Sequence, residues 1–216
     1  MSDSNNNASN TVVMSWSFHR LPDKPMMARL CDDRVGYFST RSTDYTDVGD
    51  KVNEKCFITR YRLEKKDPNA ALSEPVKPIV YYIDPATPTK WKRYVKEGVE
   101  QWQKVFEKAG FKNAIQAKYP PKDDPNWDMD DARYSVVRWA ASLVRNAIGP
   151  NTHDPRTGEI LNSEINWYHN HMRSYRNRLL LETGAANPAA RTLDIPEELM
   201  GQTMRMVIAH EIGHAL

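Results

Sequence analysis

The sequence predicts a mixed α+β fold, with a twisted β-sheet packed against one long helix and a second helix at the end of the chain. Three observations predict it. A compact β-type run, "PIVYYID", leads directly into a stretch of helical period. Several short β-branched and aromatic runs follow, separated by Pro, Asp and Gly. A second stretch of helical spacing, "DIPEELMGQTMRMVIAHEIGHAL", comes last. The order strand, helix, strands, helix belongs to a layered α+β unit.

Residues 1–11 are polar and low in complexity and read as a disordered tail or leader, without the charged and apolar regions of a signal peptide. Residues 12–74 form a β-rich extension and linker. Their short runs are broken by turn residues, with a hairpin expected around "TDYTDVGDKVNE" and a linker in "DPNAALSEPVKP". Residues 75–216 carry the stronger signals. Ile79 to Ile83 reads as a strand. Thr87 is the expected N-cap and Pro88 the first residue of a single helix of five or six turns. Its core stripe is Trp91, Val95, Val99, Trp102, Val105, Phe106 and Ala109, and Gly110 ends it.

"AIQAKYP" reads as a second strand and Tyr134 to Ala140 as a third. "GPNTHDPRTGE" reads as a loop with a turn, leading to a strand from Glu159 to about Trp167. "HMRSYRNRLLLETG" reads as a short helix stopped at Gly184. In the last helix, Asp194 and Glu197 have the spacing of a capping pair, with Pro196 in the first turn. At 100° per residue, Met200, Thr203, Met204, Val207, His210, Glu211, His214 and Ala215 share one sector. Both histidines are therefore expected to continue the buried stripe.

Composition excludes several classes. Charged residues make up 27% of the chain, the net charge is +2, and no Lys/Arg block suggests a nucleic-acid surface. No stretch reaches membrane-spanning length. No phosphate-binding glycine loop or serine or cysteine nucleophile setting is present. Cys31 and Cys56 are too few for a disulfide framework. Free buried thiols are the favoured reading, with a single bridge as the alternative.

The chemistry sits in "AHEIGHAL". His210 and His214 are one helical turn apart, so both imidazoles can reach one Zn2+ ion at about 2.0–2.1 Å. Glu211, beside the first ligand, is placed to act as a general base rather than a ligand. The motif supplies two ligands and a base, which is less than a complete site. Two buried histidines satisfied by hydrogen bonds are the structural alternative, opposed by the cost of burying three such polar groups unpaired.

This helix, together with "SFHRLPDKPMMARLCDDRVGYFST" and "DPRTGEILNSEINWYHNH", resembles the bacterial zinc-dependent metalloproteases of the metzincin clan over residues 16–216. The resemblance implies that residues 75–216 are the N-terminal half of a zincin-like catalytic domain. It also implies His210 and His214 as metal ligands, Glu211 as catalytic base, and one catalytic zinc whose third ligand is expected beyond Leu216. It implies a protein or peptide substrate, export from the cell, and "GEILNSEINWY" as a substrate-pairing edge strand. A non-catalytic β-rich binding module with a vestigial motif is the alternative function. His169 and His171 read as surface or cleft residues, with His153 and Asp154 the nearest further donors. "DPRTGEI" reads as a turn in preference to a calcium site.

Overall fold

The computed structural model describes residues 11, 14, 16–46 and 49–216, so the expected tail falls almost wholly outside the described residues. In the extension, β1 (Ser39–Asp44) and β2 (Asn53–Ile58) pair antiparallel, with Ser39 opposite Ile58 and Asp44 opposite Asn53. This is the expected hairpin. The cysteines are not free thiols: Cys31 and Cys56 form a disulfide across 25 residues. The physical reason is local pairing. Leu30 bridges Phe57 and the Cys31 N–H donates to the Cys56 carbonyl, which brings the two side chains together.

The chain then passes from β2 into the main sheet. The Arg60 N–H donates to Gly158 O and the Ile160 N–H donates to Arg60 O, joining the extension to the sheet at these two points. The expected linker is a strap held on both sides. The Ser73 N–H bonds Gly110 O, Lys112 N–H bonds Ser73 O, and Val76 N–H bonds Glu64 O.

The main sheet contains β3 (Ile79–Ile83), β4 (Ile115–Lys118), β5 (Ser135–Ala140), β6 (Ala147–Ile148), β7 (Asn151–His153) and β8 (Ile160–Tyr168). Its order is β4-β3-β5-β8-β6, with β7 also on β8. β3, β4, β5 and β8 are mutually parallel, whereas β6 and β7 run antiparallel to β8. The strand from Glu159 is therefore interior, not the expected edge. In sequence "GPNTH" reads as loop because Gly149 and Pro150 interrupt it. In the fold, the short β6 and β7 flank this interruption and form the outer rim.

The predicted first helix is α1 (Thr89–Glu100) and α2 (Gln103–Lys108), interrupted at Gln101 and Trp102. The interruption turns the Trp102 indole to donate to Ala209 O at 2.8 Å and lets Gln103 bond both Ile115 O and the Ala114 N–H. Past it the stripe meets the core only in part: Phe106 packs against it, whereas Val105 is exposed. Pro88, not Thr87, is the N-cap, because Thr87 is held in the preceding turn by its N–H bond to Asp84 O. α3 (His171–Arg178) continues into a π-helical turn, Leu179–Thr183, that ends at Gly184.

α4 (Glu197–His214) starts after Pro196 with no side-chain cap, so the Asp194–Glu197 pair is not used. Its buried stripe is Met204, Val207, Ile208, Glu211 and Ile212, packed with Tyr94, Val95 and Val99 of α1 and with Ile83, Val137 and Ile165 of the sheet. Two glycines let α1 and α4 approach closely. A Cβ on Gly98 would come within 2.8 Å of Arg205 O and the Ile208 side chain, and one on Gly201 would overlap the Tyr94 ring.

Two outcomes follow from this packing. Gly201→Ala should destabilise the fold by about 1–3 kcal/mol, because the Tyr94 ring is enclosed and hydrogen-bonded to Glu198 and so must shift. Chemical denaturation measures this, and an unchanged midpoint would contradict the packing. Closing the 25-residue loop is worth about 3–4 kcal/mol by chain entropy. Reduction should therefore open cleavage sites for trypsin within residues 29–55 while 79–216 stays resistant.

Candidate metal centre

α4 presents the motif at its C-terminal end. Its core-facing residues fix the rotation of the helix, which then places Glu211 on the inner side and the two histidines on the rim. The expectation of buried imidazoles is corrected, since His210 and His214 are both exposed. The buried sector is centred on Met204, Ile208 and Ile212, about one residue position away from the centre the sequence suggested.

The two rings converge nonetheless. His210 Nε2 and His214 Nε2 lie 2.9 Å apart, and the ring centroids are 4.5 Å apart at 87°. Two nitrogens sharing one zinc at 2.0–2.1 Å in tetrahedral geometry are roughly 3.3 Å apart. The rings need to part by only a few tenths of an ångström, and one Nε2 must give up the proton that it shares with the other in this hydrogen bond. The residues present fit a zinc ion as a pair of ligands. Among the described residues, no group of three or more His, Cys, Asp or Glu side chains converges on a point that could hold a metal ion.

Glu211 is 8% exposed, and its carboxylate oxygens are not among the fully enclosed polar atoms left without a partner, so the group keeps a path to the surface. Burial raises its carboxyl pKa above the ordinary value, while the charges of His210 and His214 oppose that rise. A buried carboxylate next to two imidazoles is suited to taking up a proton.

The surroundings come from three directions. At the end of α4, Phe38 of the extension stacks on His214, with centroids 5.3 Å apart at 21°. Phe38 and His214 are walls of a cavity of about 370 Å³ that Tyr37, Tyr61, Trp102 and Phe106 also line. On the rim of the sheet, the Gly149 backbone lies against the Glu211 carbonyl, and a Cβ there would come within 2.6 Å of it. On α3, Tyr175 packs beside Trp167 and His171. Burial pushes the Tyr175 phenol up, with Arg178 opposing and the charge of Glu211 adding to it.

The other sequence candidates do not join this site. His169 accepts from the Trp139 indole at 3.2 Å, and His171 packs edge-on to Trp167 and Tyr175, so the two rings serve separate aromatic contacts. His153 bonds Asn151 at 3.0 Å. Asp154 is fully buried and held by the Arg156 guanidinium, which depresses its pKa and occupies both oxygens. Its loop is the expected turn, closed by Gly158 at φ 76°. The disulfide also excludes Cys31 as a free thiol near the histidines. Phe38, Gly149 and the β6–β7 rim were not singled out from sequence. The first has no local signature, and the last two lie in a stretch whose Gly-Pro pair reads as loop.

A model of a domain of unknown function (DUF5117) matches residues 1–66, which takes in the hairpin and the disulfide but none of the main sheet. No curated protein and no solved structure matches the chain.

Glu211 yields a prediction about stability. Its folded pKa is raised, so the folded state favours the protonated form, and stability falls as pH rises from the ordinary carboxylate range through the raised value. Metal-free Glu211→Gln should therefore have a higher Tm than the unsubstituted chain at pH 7. The difference should vanish below about pH 4. Differential scanning calorimetry in the presence of a chelator tests this, and an equal or lower Tm at pH 7 would contradict it.

Proposed function

We propose that this chain is part of an exported zinc-dependent endopeptidase of metzincin type, in which His210 and His214 hold the metal and Glu211 is the catalytic base. The observation that carries the reading is the 2.9 Å approach of the two Nε2 atoms beside a buried carboxylate that has no hydrogen-bond partner among the described residues. A structural histidine pair has no need of a carboxylate whose ionised form is disfavoured by its largely buried setting.

When bound, zinc supplies Lewis acidity, which acidifies water and polarises a peptide carbonyl. The residues of the chain do the rest. His210 and His214 each offer an Nε2 lone pair, which requires both rings to be neutral with the proton on Nδ1. Glu211 takes a proton from the attacking water and passes it to the departing amine, atom for atom, so that it ends the cycle ionised as it began. Its raised pKa favours holding that proton between the two transfers.

The substrate lies as an extended strand. β6 and β7 pair only with β8 among the described residues, so their outer edge carries unpaired backbone groups beside the Glu211 end of α4. Backbone pairing along this rim would hold a peptide without reading its sequence. The rim takes the role first expected of the strand from Glu159. Export is supported by the Cys31–Cys56 bridge, since disulfides persist in oxidising compartments. No helix among the described residues is long and apolar enough to cross a membrane.

The test uses the protein that contains this chain, loaded with one zinc. Casein should be cleaved, a chelator should stop the cleavage, and Glu211→Gln should lower kcat by about 10²–10⁴-fold with zinc content unchanged. Cleavage that survives both the chelator and the substitution would refute the proposal.

A further inference from the structure

We infer that Phe38 is a positioning residue of the metal centre: its ring, stacked on His214, fixes the orientation of the second imidazole before a metal arrives. The inference rests on the proposal that His210 and His214 share one ion, and it makes the N-terminal extension part of that centre.

The first support is what His214 lacks. A histidine that binds a metal ordinarily donates its other ring N–H to a carboxylate or carbonyl, and loss of that partner costs 10–100-fold in metal affinity or activity. Among the described residues, no hydrogen bond reaches Nδ1 of either His210 or His214. The ring contacts of His214 are Phe38, nearly parallel at 21°, and His210, nearly perpendicular at 87°. The two fix it in different ways. His210 holds Nε2 through the 2.9 Å hydrogen bond between the rings, a bond that must break when an ion takes its place, whereas the flat face of Phe38 stays against the ring through that exchange.

The second support is how firmly Phe38 is held. Its carbonyl accepts from the Thr59 N–H at 2.8 Å and from Thr59 Oγ1 at 3.2 Å. The residue after it opens β1, whose partner β2 carries Cys56 of the disulfide. Arg60, two residues past β2, is joined to the sheet through Gly158 and Ile160. The ring that orients His214 is thus tied back both to the extension and to the strand layer under α4.

The third support is that burial does not account for the ring. Phe38 is 55% exposed although it is a large apolar side chain, and one of its faces is covered by an imidazole. An exposed histidine at a helix end samples several rotamers. Holding it in the one that faces His210 removes part of the ordering cost of metal binding.

The experiment measures metal binding, not activity. Zinc affinity is read by competition with a chromophoric chelator, and the ligand field by the visible absorption of Co(II) added alone. Phe38→Ala should weaken zinc binding by about tenfold and change the intensity of the Co(II) bands. Phe38→Leu keeps apolar bulk without a flat face and should behave like the alanine variant, whereas Phe38→Trp should restore affinity and spectrum. Since Phe38 is half exposed, all three should unfold at the temperature of the unsubstituted chain. Unchanged affinity and spectrum in Phe38→Ala, or full recovery in Phe38→Leu, would overturn the positioning role. A His214→Ala chain that binds zinc as well as the unsubstituted chain would instead defeat the metal-pair reading, so the two failures are distinct.

Discussion

The packing of α4 between α1 and the sheet is the constraint on which the rest depends. Ile208 and Ile212 are fully enclosed, and Gly98 and Gly201 allow the backbones to approach more closely than any Cβ would permit. A helix advances 100° per residue, so once Met204, Ile208 and Ile212 face inward the remaining positions have no choice of direction. Glu211 falls against the core and His210 and His214 fall on the rim with their Nε2 atoms together. A rotation of α4 by one residue position would either turn both histidines into the core or carry the carboxylate away from it. The close helix contact therefore sets where Glu211, His210 and His214 lie as well as the stability.

The same packing forces a compromise at Glu211. Every other buried acid described in detail has a partner: Asp84 accepts from the Trp139 N–H, Asp154 is held by Arg156, and Glu159 is paired with Arg62. Glu211 has none, and its ionised form is disfavoured by burial. Sequences that fold well tend to break local rules at functional sites, where a group must stay free for a task other than folding. The contrast with its three partnered counterparts supports the proposed role of Glu211. The extension fits the same account, since it contributes little to the core yet delivers an aromatic ring onto His214.

How much of this could be read from the residues depended on the range of the interactions. The strand Ile79–Ile83, the strand Ser135–Ala140, the hairpin and the final helix are set by periodicity over a few residues, and all are present. The motif places its two imidazoles one turn apart whatever surrounds them. The features without a local signature are long-range. The interruption at Trp102 depends on the Ala209 carbonyl, 107 residues away. The interior place of the strand from Ile160 depends on β6 and β7 pairing across its outer side, and those strands are too short to show alternation. The exposure of the histidines depends on where the core centre of α4 lies, which isoleucines 208 and 212 decide through contacts with α1. The disulfide was open in the sequence because spacing alone does not bring Leu30 opposite Phe57.

The central claim is that the two imidazoles aim at one cation, and the zinc K-edge X-ray absorption spectrum of the zinc-loaded protein tests it most directly. The account predicts nitrogen scatterers at about 2.0–2.1 Å with the outer-shell pattern of two imidazoles, and loss of half that pattern in His214→Ala. A spectrum without imidazole scattering, or one that either histidine substitution leaves intact, would contradict it.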